Sequence, residues 1–427
     1  MKAQLHLRCD LLRRHFSQYC AENMQQTLPD RSKLLRNAGM KDVFGKGKAT
    51  GVFMKLKNVN IYHTEDRCFV KGGLTADNGV ITGFSEEADA WDAGGAFLLP
   101  GLVDTHTHGR AGYDFSSANA EEMLRMEKAY AEVGTTTVIP TIATAPPEQM
   151  LEAVRRVRQC GFSGVHIEGR YLSPLHKGAH SEALLHAPDI GELEAFMKAA
   201  GTLPVRITVA CELPGGTEFI RAACRMGAFV SLGHTDAGYD EAMCAVQNGV
   251  SCFTHLYNAM RPFHHRDPGT VGAGLMSDAY AELICDGFHL HPAAVRLANR
   301  VKHPDRINLI TDSMEATGCP DGSYSIAGSP VQVRDGKALT ESGAIAGSTL
   351  NLFDGLLHYA EFCGIPLEEA IPAATLNPAR SMGIDGRIGS LAVGKQADLL
   401  LLAPDRKTLL AVAQKGKFLH KCDFFGG

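Results

Sequence analysis

The stretch Leu98–Gly109, LLPGLVDTHTHG, decides the fold. An apolar run passes through Pro100-Gly101 into Leu102-Val103-Asp104 and then reaches His106 and His108. On a strand, residues i and i+2 point to the same side. Two imidazoles on one side of a strand's end are suited to holding one metal ion. Alone the pair is a weak signal: with 18 His in 427 residues about one chance H-x-H is expected. His289 and His291 form another. The first pair gains weight from the pattern around it.

Downstream, short apolar runs rich in Val, Ile and Thr alternate with helical stretches. After LLPGLVDTHTH come TTTVIPTIAT, SGVHIEG, PVRITVACE, AFVSLGHT, CFTHLYN, AELICDG and RINLITDS, eight runs in all. Between them lie amphipathic stretches such as AEEMLRMEKAYAEVG and PPEQMLEAVRRVRQCG, most of them stopped by glycine. LNLFDGLLHYAEFCG supplies a helix after the last run. This alternation predicts an α/β fold, a (β/α)8 TIM-like barrel, over residues 99–379. The flanks read differently. KLKNVNIYH and RCFVKGGLTADNGVITGFS before the barrel, and GRIGSLAVGKQADLLLLAPD and LLAVAQKGKFLH after it, look like short strands and turns. Neither flank has enough strands to stand alone. Residues 53–98 and 380–425 are therefore expected to pair into one small β-domain. Residues 1–52 carry basic residues and some helical period and are expected to be a poorly ordered N-terminal extension. Met54 opens the first clear strand and is a candidate true start.

Composition sets outer bounds. The chain is 45% hydrophobic and 21% charged, with a net charge of −5, which is an ordinary soluble globular composition, long enough for one large domain plus a small one, and argues against broad nucleic-acid binding. The 12 cysteines form no C-x-x-C, and Cys211, Cys252 and Cys285 lie in apolar runs. They read as reduced core residues of a cytoplasmic protein. No apolar run reaches 18 residues, so neither a membrane span nor membrane association is expected.

The polar residues fall at matching places in the β/α units. His106 and His108 end strand one, Glu168 strand three, His234 strand five, His255 strand six and Asp312 strand eight. A barrel gathers all these ends at one mouth. Four imidazoles and two carboxylates are costly to bury unpaired, and divalent metal removes the conflict. The set suggests two ions: one held by His106, His108 and Asp312, the other by His234 and His255, with Glu168 between. Asp312 is the candidate base, taking a proton from water and returning it to a leaving nitrogen.

PGLVDTHTHG, HIEGRYLSPLHKGAH, LGHTDA, THLYNAM, DGFHLHP, LITDSMEATG, IAGSTLN and the tail GSLAVGKQADLLLL together resemble the amidohydrolase superfamily. Within it they resemble the N-acetylglucosamine-6-phosphate deacetylase family, from about Met54 to the tail. The resemblance implies hydrolysis of the acetamide of an N-acetylated amino-sugar 6-phosphate, in amino-sugar catabolism. It implies Glu168, His234 and His255 as common metal ligands, and His106 and His108 as a second-site pair kept by some members. Asp312 matches the acid/base. His180 matches a histidine that hydrogen-bonds the acetyl carbonyl. Ala179, Asn258, Ala259 and the backbone of Ile345, Ala346 and Gly347 match sugar-phosphate contacts. Arg266 and His289 match phosphate contacts that family homodimers supply from the neighbouring subunit. Zinc or iron suits such nitrogen and carboxylate ligands. Arg170 stands where the family usually has proline, and is expected to lie beside the metals as a cation repellent or an anion contact.

Other readings are weighed by residues. A cyclic-amide hydrolase of the dihydroorotase kind carries a carboxylated lysine on strand four, and PVRITVACEL has no lysine. A nucleobase deaminase has no use for Arg266 as a phosphate anchor. A non-catalytic barrel homologue typically loses ligands or the base, and none is missing here. N-acetylgalactosamine 6-phosphate stays an alternative substrate, because loop geometry separates the epimers.

Overall fold

The computed structural model describes residues 53–419. The expected extension over residues 1–52 and the tail beyond residue 419 lie outside the described residues. The chain opens with β1 (Phe53–His63), β2 (Cys68–Asp77), β3 (Val80–Gly83), the short β4 (Trp91–Asp92) and β5 (Phe97–Pro100). Next come β6 (Leu102–Thr107), the two-residue pair β7 (Gly109–Arg110) and β8 (Tyr113–Asp114), and α1 (Ala120–Ala131). Strands and helices then alternate: β9 (Thr135–Ala143), α2 (Pro147–Gln159), β10 (Val165–Glu168), α3 (Ile190–Ala200), β11 (Val205–Val209) and α4 (Gly216–Arg225). The alternation continues with β12 (Phe229–Leu232), α5 (Tyr239–Gln247), β13 (Val250–Phe253), α6 (Gly269–Met276), β14 (Tyr280–Ile284), α7 (Pro292–Val301) and β15 (Ile307–Ile310).

The eight strands β6 and β9 to β15 form one parallel sheet in sequence order. Its ends meet through Asp312 N–H to His106 O at 2.9 Å and His108 N–H to Ser313 O at 2.8 Å. This is the (β/α)8 architecture expected, and each expected strand is present. Local chemistry sets several boundaries. Asn119 caps α1, accepting from Glu122 N–H while the Glu122 carboxylate accepts from Asn119 N–H. Asp189 caps α3 by accepting from Gly191 and Glu192 N–H.

The flanking strands also pair as expected. β19 (Leu399–Leu402), β20 (Leu409–Gln414) and β21 (Lys417–Phe418) join β5, β1, β2 and β3 in a second sheet. β5 and β19 are antiparallel, with Leu99 opposite Leu400. The crossing from this sheet into the barrel falls at Gly101, where a Cβ would meet Thr136 Oγ1 at 1.9 Å, so only glycine fits. The two sheets share their core through alternation. Leu98, Leu399 and Leu401 face the small sheet's core, while Leu99, Leu400 and Leu402 face the barrel's.

One element was not foreseen. Between β15 and the helix α8 (Leu352–Cys363), the strands β16 (Gly322–Ile326), β17 (Ser329–Arg334) and β18 (Lys337–Thr340) form an antiparallel sheet. Val331 and Val333 alternate inward over a small core with Met314 and Ala346. The helical end of the barrel is completed by α9 (Leu367–Ala370) and α10 (Leu376–Ser381).

Candidate functional site

The six residues picked out at strand ends converge. Glu168 lies at the centre. Its Oε2 is 3.2 Å from His106 Nε2 and 3.0 Å from His108 Nε2, and its Oε1 is 3.3 Å from His234 Nε2 and 3.1 Å from His255 Nε2. Asp312 Oδ1 is 3.3 Å from His108 Nε2 and 3.5 Å from His106 Nε2. None of the six exceeds 8% relative exposure, so bulk water reaches their charges poorly.

The chain leaves its strands abruptly here. His234, His255 and Asp312 have φ of +47°, +31° and +50°, left-handed values that a non-glycine residue adopts at a cost. Surrounding hydrogen bonds over-determine Asp312. Its N–H donates to His106 O, and its C=O accepts from Ser348 N–H at 2.7 Å. The Thr311 hydroxyl donates to Asp104 Oδ2 at 2.5 Å, and the Ser348 hydroxyl to Thr311 O at 2.5 Å.

The donor set fits a divalent cation. His234 Nδ1–H donates to His176 O at 2.7 Å, which places the lone pair on Nε2. That lone pair faces the Glu168 carboxylate and lies 3.0 Å from His255 Nε2. His106 Nδ1–H points at Glu282 Oε2, 3.0 Å away, so its Nε2 lone pair also faces Glu168. Lone pairs set against a buried carboxylate repel unless positive charge lies among them. The titration tendencies agree. Burial opposes a charge on His106, yet Glu168 and Asp312 pull its pKa well above the ordinary value. Among the described residues, two groups have ligand atoms close enough to share an ion: His106, His108 and Glu168, and Glu168, His180 and His234.

His180 is better suited to another task. Thr144 Oγ1 accepts from Arg170 N–H at 3.1 Å and has its own proton to give His180 Nδ1, 2.8 Å away. The ring proton then sits on Nε2, 3.9 Å from Glu168 Oε2. Burial, and then the neighbouring His234, push the His180 pKa down to about 3. The result is a neutral ring with a donor at the cavity wall. Gly169 permits this approach, since a Cβ there would meet Thr144 Oγ1 at 2.4 Å.

A cavity of 420 Å³ opens above the cluster. Its walls include His108, Glu168, Ala179, His180, His234, His255, Asn258, Ala259, His289, Asp312, Ile345, Ala346 and Gly347. His106 lies beneath, fully buried. Every expected substrate contact except Arg266 therefore lines the cavity of its own chain. His289 lines it too, with its Nδ1 held by Asp286 Oδ2 at 2.6 Å. Arg266 is exposed on a loop and rests against His265 Nε2 at 2.8 Å, away from that cavity. The structure corrects the expectation for Arg170: it turns from the cluster to Glu192 Oε1 at 3.2 Å and His186 Nε2 at 2.9 Å, so its ion pair is with Glu192 rather than with an anion in the cavity.

Arg206 and Glu282 are two further charged residues, outside the set that the sequence pattern marks. Both are fully buried and paired, Arg206 Nη1–H donating to Glu282 Oε1 at 2.7 Å. Their signal was a charge inside each of the apolar runs PVRITVACE and AELICDG.

A barrel whose strand ends gather imidazoles around a carboxylate defines the class. The Amidohydrolase family model matches residues 97–426, and the chain belongs to that family. More particularly, it is 36% identical over 343 residues to N-acetylglucosamine-6-phosphate deacetylase of Vibrio furnissii, covering 77% of this chain and 86% of that protein. It is 38% identical over 316 residues to N-acetylgalactosamine-6-phosphate deacetylase of Escherichia coli O157:H7, covering 71% and 83%. Among solved structures, the N-acetyl-D-glucosamine-6-phosphate deacetylase of Mycobacterium smegmatis superposes with a TM-score of 0.81 at 34% identity, over 86% of this chain and all of that one. The Pasteurella multocida enzyme of the same name gives 0.81 at 32% identity, over 86% and 99%.

Proposed function

We propose that the chain is a metal-dependent deacetylase that hydrolyses the acetamide of N-acetylglucosamine 6-phosphate, giving glucosamine 6-phosphate and acetate in amino-sugar catabolism. The observation that carries this reading is the meeting of His106, His108, Glu168, His234, His255 and Asp312 beneath a cavity walled by the residues expected to hold the sugar phosphate. His234 and His255 would hold one divalent ion, and His106, His108 and Asp312 a second, with Glu168 as a further ligand. Zinc or iron suits these donors. Such ions supply Lewis-acid polarisation of the carbonyl and a lowered pKa for the attacking water.

The chain's own groups do the rest. His180 donates from Nε2 to the acetyl oxygen as negative charge develops there. Asp312 takes a proton from the water as its oxygen attacks the acetyl carbon. It returns that proton to the nitrogen as the C–N bond breaks, leaving acetate and an amine. Asn258, Ala259 and the Ile345–Gly347 backbone, with His289, orient the sugar phosphate. Arg266, exposed and away from its own cavity, completes the phosphate site of a second subunit in a homodimer, where its planar guanidinium suits a phosphate. All nine described cysteines are free, which suits a reducing cytoplasm.

The E. coli relative's name favours one second reading, the galacto epimer. Acetate release by the metal-replete protein is the test. The gluco 6-phosphate is expected to be fastest, with the galacto 6-phosphate slower and the unphosphorylated sugar far slower. Equal rates on phosphorylated and unphosphorylated sugars would overturn the assignment.

A further inference from the structure

We propose that Arg206 and Glu282 are positioning residues for the site: together they hold His106 with its Nε2 lone pair aimed at Glu168 and Asp312, and so set the affinity of the cation place that His106 and His108 complete. This rests on reading His106 as a ligand.

The geometry distinguishes positioning from mere filling of the barrel. A pair that only filled space would close on itself, both carboxylate oxygens meeting the guanidinium fork. Glu282 instead divides its oxygens. Oε1 accepts from Arg206 Nη1–H at 2.7 Å. Oε2 faces the other way, accepting from His106 Nδ1–H at 3.0 Å and His255 N–H at 3.3 Å. One carboxylate thus contacts a residue from each half of the cluster. Arg206 is anchored in turn. Its Nη1–H also reaches Thr105 Oγ1 at 3.1 Å, and Nη2–H donates to Ser381 Oγ at 2.7 Å and Ser381 O at 3.2 Å on α10. Asn308 Nδ2–H donates to the same Ser381 hydroxyl at 2.9 Å. On the opposite flank, the His166 ring packs edge-on to His106, its centroid 4.6 Å away. The ring of His106 is therefore held by partners outside the cluster, and its proton is held on Nδ1. His108 differs, since its Nδ1 finds no hydrogen-bond partner among the described residues. A carboxylate that fixes a ligand's tautomer and orientation typically governs metal affinity by about 10–100-fold.

The test titrates metal-free full-length protein with Zn²⁺ and follows the His106 imidazole nitrogens by NMR. Glu282→Gln must turn either its NH₂ toward His106 Nδ1, which drives the ring proton to Nε2, or its NH₂ against the Arg206 guanidinium. The expected results are a His106 tautomer change, read once Zn²⁺ is added, and a Zn²⁺ affinity about 10–100-fold weaker for one equivalent. Breaking a buried ion pair on one side risks misfolding, so the double variant Arg206→Met/Glu282→Leu removes both charges at once. It is expected to fold and to show the same weakened equivalent. A folded double variant that binds Zn²⁺ with wild-type stoichiometry and affinity would overturn the proposal. His106→Asn separates the two levels. If it loses an equivalent while the folded double variant does not, the positioning role alone fails. If His106→Asn loses none, the ligand reading fails and takes the positioning role with it.

Discussion

A carboxylate at Asp312, on a backbone with φ of +50°, carries the reaction's proton in this account. Asp312→Asn keeps an oxygen for a metal ion and removes the base. It is expected to lower kcat by about 10²–10⁴-fold, with metal content and KM little changed. Steady-state kinetics beside metal analysis reads this, and near-wild-type kcat would remove Asp312 from the role. At this scale much was legible: the six residues at strand ends needed only the β/α count to be placed together. The left-handed turns at His234, His255 and Asp312 were not, because no glycine marks them. Nor was the fate of Arg170. A sequence shows that an arginine follows Glu168-Gly169, but not that Glu192, on α3, draws it away.

Among the elements, β19 shows how the chain's end is joined to its middle. Its four leucines alternate between two cores, so the strand is buried on both faces. Leu400→Ala empties space against the barrel side and is expected to cost about 2–5 kcal/mol, measured from the denaturant midpoint. A loss below about 1 kcal/mol would mean that this strand does not tie the small sheet to the barrel core. The pairing of the flanks was readable because each lacked enough strands to stand alone. The β16–β18 sheet was not recognised, although SPVQVR alternates and Asp335-Gly336 marks a turn. Counting β/α units carries the eye from RINLITDS straight to the next helix, and an antiparallel insert has no place in that period. The insert matters, since Ile326 and Ala327 wall the cavity.

Over the whole molecule, two expectations concern how parts come together. Asp398 lies at the seam between the small sheet and the barrel, where its C=O accepts from Gly101 N–H and its carboxylate from Lys415 N–H at 2.7 Å. Burial pushes its pKa up to about 6, against those hydrogen bonds. The unfolded value is about 4, so between about pH 4 and 6 the folded chain holds the extra proton. The stabilisation from that proton is full below about pH 4 and is lost as pH rises through about 6. Asp398→Asn is expected to flatten that part of the stability–pH curve; an unchanged slope would assign it to other groups. The second expectation concerns Arg266. Mixing Arg266→Ala with Asp312→Asn under subunit exchange is expected to restore roughly a quarter of wild-type activity, because one mixed site regains both groups. No recovery would mean that Arg266 does not serve a neighbour's cavity. Its role was legible only through the family resemblance; by itself it reads as an exposed loop arginine.

On the proposed function, positive charge from bound metal makes the buried His and carboxylate cluster competent to cleave an acetamide. The most direct measurement is acetate release from N-acetylglucosamine 6-phosphate before chelation, after chelation to a verified metal-free state, and after adding back Zn²⁺ or Fe²⁺. Activity is expected to be lost on chelation and to return with metal. A verified metal-free protein that releases acetate at the original rate would contradict that expectation.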